Sequence, residues 1–337
     1  MSEKKKGKVG RFFKWLFLIL LVILAALTVW NLFCGLSERK ALHEASYGIK
    51  IDVGGKTMVA DIKGEENDTT VILLPGLGSV SPVLEFKPLA EALAEKYRVI
   101  TVEPFGYGLS DLAGTDRSLN AVVNELHSCV SSLDCEKYYL MAHSLSGVYA
   151  LAWANQYPDE VEGFIGIDPS VPKQLEHNPL PISITALNKI AVYLTKAMNI
   201  TGIRRLMSVS DPRAILCADP SYPYTEEELE LFRLMTLHRE YNKDICSEVN
   251  MIDPNLKSMR QVTFPDTVPV LMFVCSSNCE MMPEWEQLHK EIVTETARSE
   301  HHKLEGEHYL HFDNKDNIVN AVFNWIPDSS AAAESAS

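Results

Sequence analysis

Four apolar blocks of four to seven residues punctuate the first half of the chain, and three of them are followed by a helix-period pattern. That rhythm constrains the fold more than any other feature. Residues 70–74 precede a helical pattern at 83–95, and 97–102 precede one at 118–133. Residues 137–141 precede 146–156, and 161–167 lead into a polar, proline-rich stretch. The rhythm returns later, with strands at 268–274 and 299–304 and helices at 283–295 and 317–325. Short apolar strands alternating with helices predict an α/β fold, a mostly parallel sheet covered on both faces. Ahead of them, 48–53 and 57–62 alternate around Gly54-Gly55 and read as a β-hairpin.

Between Pro169 and Thr267 the alternation stops. Pro172, Pro179 and Pro181 open this stretch, and helical patterns follow near 182–207 and 225–241. Glu226, Glu227 and Glu228 in the first turn of the second suit the helix dipole. A helical insertion of this size within a parallel sheet reads as a lid over the C-terminal ends of the strands, where ligands bind in open α/β sheets. The tail at 328–337 is small, polar and expected to be disordered.

The N-terminus sets a second constraint. Residues 15–35 carry no charge, and about 20 residues at 1.5 Å each span a bilayer core of roughly 30 Å. Trp15 and Trp30 stand near the two ends, as interfacial aromatics do. The run is long for a cleaved signal, and no small-x-small cleavage site follows it, so an uncleaved transmembrane helix is expected. Phe33 before Cys34 argues against lipoprotein processing. The lysine-rich segment 1–14 places the N-terminus in the cytoplasm and the body outside the cell.

Charge follows the same division. Net charge is −14 overall, yet residues 1–40 carry eight basic against two acidic residues, leaving −20 on the rest. A body this acidic repels phosphate backbones, which excludes nucleic-acid binding. Beyond Cys34, Cys129, Cys135, Cys217, Cys246, Cys275 and Cys279 could pair outside a membrane or pack as buried thiols. They contain no C-x-x-C pair for a zinc ribbon or redox motif.

Chemistry concentrates at Ala142-His143-Ser144-Leu145-Ser146-Gly147, between a strand and a helix. A nucleophile exposed on a sharp strand-to-helix turn needs small residues two positions before and after it. Ala142 and Ser146 meet that need, and Gly147 allows close helix packing. A serine-rich helix cap is the plainer reading, but the flanking strand and helix favour an elbow with Ser144 as nucleophile.

These residues carry a resemblance: from about 46 to 326 the chain is similar to the α/β-hydrolase family, as a core in two parts, 46–169 and 268–327, around a lid at 170–267. Leu73-Leu74-Pro75-Gly76-Leu77-Gly78 resembles the family's oxyanion segment, implying oxyanion N–H donors at Leu77 and Leu145. Glu103-Pro104-Phe105-Gly106-Tyr107-Gly108-Leu109-Ser110 resembles a glycine turn of the family, read here as structural. Gly306-Glu307-His308-Tyr309-Leu310-His311 resembles the segment bearing the catalytic base, implying His308, with His311 a neighbour at a helix start. The loop that usually bears the acid reads Cys275-Ser276-Ser277-Asn278-Cys279-Glu280. Some lipases of the family instead carry the acid in a G-x-D-P segment, which Gly166-Ile167-Asp168-Pro169 resembles. Asp168 is thus the first choice for the acid and Glu280 the alternative, with a turn or cap role the plainer reading of Asp168.

The resemblance implies acyl transfer through Ser144 on a small-molecule or lipid-like ester, thioester or amide, as an esterase or lipase, with no metal or cofactor. An aminopeptidase or acyltransferase on the same scaffold is the alternative, and a catalytically inactive surface binding module is the rival. Serine at the elbow argues against the dehalogenase and epoxide-hydrolase chemistry that uses aspartate there.

Overall fold

A computed structural model of the chain describes residues 3–177, 184–294 and 297–327. The tail at 328–337, the prolines 179 and 181, and the expected helix start at 182 lie outside these residues. The strands are β1 (Ile49–Val53), β2 (Lys56–Lys63), β3 (Thr70–Leu74), β4 (Arg98–Glu103), β5 (Tyr138–His143), β6 (Val161–Ile167), β7 (Val270–Cys275) and β8 (Glu300–Leu304). They form one sheet in the order β1-β2-β4-β3-β5-β6-β7-β8. The hairpin β1–β2 is antiparallel and joins β4 antiparallel, while every other pairing is parallel. The chain therefore has the mostly parallel α/β sheet that its sequence rhythm anticipates, in the α/β-hydrolase arrangement that the resemblance implies.

Side chains alternate across a strand, so a sheet covered on both faces needs two cores. Ile72, Leu74, Ile100, Val102, Leu140 and Ala142 point into one, beneath the helices Leu119–Val130 and Ser146–Gln156. Val71, Leu73, Val99, Tyr139 and Met141 point into the other, beneath Lys87–Leu93 and Lys315–Trp325.

Several helices depart from expectation. The pattern at 83–95 forms two helices, Pro82–Glu85 and Lys87–Leu93, because Pro88 cannot lie deep in one continuous helix. The insertion between β6 and β7 breaks at Gly202, which takes φ +78° between the helices Ile184–Ile200 and Ile203–Met207. Glu226–His238 begins with a capping box between Thr225 and Glu228. Lys243–Ser258 is a further helix, beyond the two patterns expected in this stretch, and Pro254 lies inside it. Ser276–Met281 directly after β7 is also helical.

The first helix runs without interruption over Glu3–Glu44, some 63 Å at 1.5 Å per residue. The charged residues 37–44 continue this helix. It is long and apolar enough to cross a membrane. All seven cysteines are free thiols.

Candidate active site

β5 ends at His143, and the next residue turns the chain sharply. Ser144 adopts φ +53°, a left-handed conformation that a residue with a side chain rarely takes. Small neighbours make the turn feasible. Ser146 donates its hydroxyl to the Pro75 carbonyl, and a Cβ on Gly147 would lie 2.4 Å from Cβ of Pro169. The helix Ser146–Gln156 thus packs directly on the segment that follows β6, which brings the ends of β5 and β6 together.

At the end of β6, Asp168 also has positive φ, +40°, and is fully buried. Its amide donates to the Phe273 carbonyl at 2.8 Å. Its carboxylate accepts the Trp285 indole N–H at 2.8 Å, the Cys275 amide at 3.1 Å and the Asn278 side-chain amide. Burial opposes this charge, but those bonds and His308 outweigh it and hold the carboxyl below its ordinary range. Burial, and then the charge of Asp168, push the Cys275 thiol up to about 12. It stays protonated, a donor to Asp168 Oδ2 at 3.2 Å.

His308 lies between the two turns. Its Nδ1 is 2.6 Å from Asp168 Oδ2, and its Nε2 is 2.8 Å from Ser144 Oγ. A carboxylate only accepts, so Nδ1 carries the proton and Nε2 is left to accept from the serine hydroxyl. The structure brings Ser144, His308 and Asp168 into one hydrogen-bonded chain. Glu280 is exposed on the helix Ser276–Met281 and does not join it.

Leu77 and Leu145 line the same cavity, about 410 Å³ in volume, with Asn188, Ile252, Met281, Met282 and Tyr309. Among the described residues neither amide donates to a protein acceptor, so both are available to an incoming oxygen. The walls are mostly apolar, suited to an acyl chain more than to a charged group.

Three supports escaped sequence reasoning. Asn278 and Trp285 hold Asp168, but they precede His308 by 30 and 23 residues and match no spacing signal. His143 is buried, and its Nε2 donates to the His308 carbonyl at 3.1 Å. Burial, reinforced by His308 and His311, keeps its pKa well below the ordinary histidine value, so it is neutral. A Cβ on Gly76 would sit 2.6 Å from its ring, so glycine is required there. His311 lies in the helix Leu310–Asp313, buried against Phe86 and 3.6 Å from Glu85. His301 and His302 lie in β8, away from the cavity. Among the described residues no cluster of His, Cys, Asp or Glu is arranged to hold a metal ion.

Residues 69–194 match the sequence profile of a family described as alpha/beta hydrolase fold. The fold extends well beyond that stretch, through β7 and β8 to the final helix. By that match and by its fold, the chain is similar to the α/β-hydrolase fold family. The chain is also similar to the uncharacterized protein YbdG of Bacillus subtilis, 26% identical over 75% of this chain and 76% of that one. Among solved structures, Cfl2 from Burkholderia cenocepacia superposes with a TM-score of 0.65 at 15% identity, covering 82% of this chain and 95% of that chain. A thermophilic esterase from Thermogutta terrifontis superposes at 0.58 with 18% identity, covering 83% and 98%. At such identities the likeness to these structures is one of fold.

Proposed function

We propose that this α/β-hydrolase-fold chain is a serine hydrolase that cleaves a carboxylic ester through an acyl-enzyme on Ser144. The observation that carries the reading is the unbroken relay from Ser144 Oγ through His308 to Asp168, at 2.8 and 2.6 Å. Attack of Oγ on the ester carbonyl carbon moves its proton to His308 Nε2 and places negative charge on the carbonyl oxygen. The amides of Leu77 and Leu145 accept that charge as hydrogen-bond donors. His308 then protonates the departing alcohol as the carbonyl re-forms, leaving an acyl-serine. Water, deprotonated by His308, attacks the acyl carbon, and collapse releases the acid and returns the proton to Ser144. Asp168 keeps the imidazole in the required tautomer and stabilises it when charged. The insertion between β6 and β7 acts as a lid, since Asn188 and Ile252 from it line the cavity.

Reaction of the purified protein with a fluorophosphonate, followed by peptide mapping, tests this. Modification is expected at Ser144 and at no other serine, because an activated alkoxide needs the base and the oxyanion donors together. Labelling that persists in Ser144→Ala would overturn the reading. In the same reading the apolar helix spans a cell membrane once, with the basic segment in the cytoplasm and the hydrolase body outside.

A further inference from the structure

The first helix does more than lead into the body. Asn31 donates its side-chain amide to the carbonyls of Asn199 and Ile200 at 2.8 and 3.1 Å, and its carbonyl accepts from Arg205 Nε at 2.8 Å. Two turns on, Glu38 accepts from both terminal nitrogens of Arg205, from Arg233 at 3.1 Å and from His238 at 2.7 Å. Gly202 closes the contact, since a Cβ there would lie 2.9 Å from the Leu27 carbonyl oxygen. These bonds hold the end of the helix Ile184–Ile200 level with residues 27–31, the outer end of the apolar run marked by Trp30. A simple tether would need no such register.

That same helix carries an unusual outer surface. Leu187, Ile190 and Leu194 recur at helical spacing, Tyr193 and Ile200 lie seven residues apart beside them, and Ile190, Leu194 and Tyr193 are 59%, 61% and 70% exposed. Leu206, Met207 and Val209 continue the exposed apolar surface past Gly202. Its other side serves the site, for Val192 is buried in the core and Asn188 lines the cavity holding Ser144 and His308. One helix therefore separates the catalytic cavity from an apolar surface continuous with the membrane-spanning run, at the depth where that run leaves the bilayer.

We propose that the outer face of Ile184–Ile200, with the segment through Val209, is seated in the bilayer leaflet nearest the body. The substrate is then an acyl lipid that passes from that leaflet into the Ser144 cavity. The seating stands on the geometry of the first helix; the substrate class rests additionally on the serine-hydrolase reading.

The test uses full-length protein in phosphatidylcholine vesicles, with soluble 4-methylumbelliferyl acetate and vesicle-borne dioleoylglycerol as substrates. Ile190→Glu combined with Leu194→Glu changes only exposed positions. The double variant is expected to keep acetate hydrolysis within about twofold. It is expected to lose roughly tenfold or more on dioleoylglycerol, because seating scales with buried apolar area. Equal rates of variant and wild type on dioleoylglycerol, or cleavage of acetate but never of dioleoylglycerol by the wild type, would overturn the lipid-substrate proposal. Photo-crosslinking provides a readout independent of catalysis. Benzoylphenylalanine in place of Ile190 is expected to capture phosphatidylcholine, and in place of Glu136, at the opposite end of the sheet, not to do so. Capture of a second copy of the chain, or of nothing, at position 190 would overturn the seating. Absent fluorophosphonate labelling with lipid capture intact would mean that the hydrolase reading alone had failed.

Discussion

Ser144 and Asp168 both hold backbone conformations that cost on the order of 1–3 kcal/mol, and they meet across a single imidazole. Such strain persists only where the surroundings over-determine it. Asp168 is fixed by bonds from Phe273, Cys275, Asn278 and Trp285 as well as His308. If its carboxylate sets the tautomer of His308, Asp168→Asn should lower kcat by about 10⁴ with KM little changed, as a comparable change does in other triads. Glu280→Gln should leave kcat within about twofold, because that side chain is exposed away from the relay. Steady-state kinetics on a soluble ester decides between the two carboxylates, and the reverse pattern would exclude Asp168. A second buried acid acts on stability. Burial pushes Glu103 up to about 7 from 4.5, against the bonds it accepts from Tyr47, Leu109, Val83 and Ser81. A raised carboxyl pKa contributes stability that is full below pH 4.5 and is lost as pH rises through 7. The stability of wild type relative to Glu103→Gln should therefore fall by about 3 kcal/mol between pH 4.5 and 8 in denaturant titrations. A pH-independent difference would show that Glu103 is not perturbed.

At the scale of elements, the contacts that position the relay are close approaches between whole segments. The helix Ser146–Gln156 can press on the turn after β6 only because position 147 lacks a side chain. Gly147→Val should destabilise by about 1–3 kcal/mol, the usual cost of overpacking. It should also lower kcat, because the displaced turn carries Asp168. Unchanged kinetics in a destabilised variant would separate the packing from the site. The contact between the first helix and the insertion is electrostatic. Arg205 is buried, and Glu38 is the carboxylate it meets. Removing one member of a buried pair strands the other, at a cost of about 3–5 kcal/mol. In Glu38→Leu, amide hydrogen exchange should rise in Ile184–Ile200 and Ile203–Met207 while β3 to β7 keep their protection. Uniform loss of protection would instead show that the helices and the sheet unfold as one unit.

The molecule as a whole combines a basic end, an uncharged helix and a body of charge −20. Protease added to intact cells should digest the body and spare residues near 4–14, given the lysine-rich start. A mature chain beginning after Cys34 would show instead that the segment is removed. The helix itself continues past the apolar run to Glu44, without a flexible linker, and is hydrogen-bonded to the insertion on the way. The body is therefore held in one orientation on its first helix, rather than free to swing.

Local pattern alone was sufficient for the eight strands, the elbow at Ser144 and the apolar span, because each is written in contiguous residues. Apolar blocks of strand length, small residues two either side of a serine, and an uncharged run of bilayer length need no distant partner to be recognised. Resemblance pointed to Asp168, but sequence left it beside Glu280, since a carboxylate on either loop can be imagined reaching the same histidine. The strand order decides the matter of reach: β6 lies between β5 and β7, so the end of β6 abuts both the elbow and the loop bearing Asn278. Pro254 inside a helix, the role of Trp285 and the bond between Glu38 and Arg205, 167 residues apart, were likewise invisible. They depend on contacts between segments far apart in the chain, and such contacts exist only once the sheet has brought those segments together.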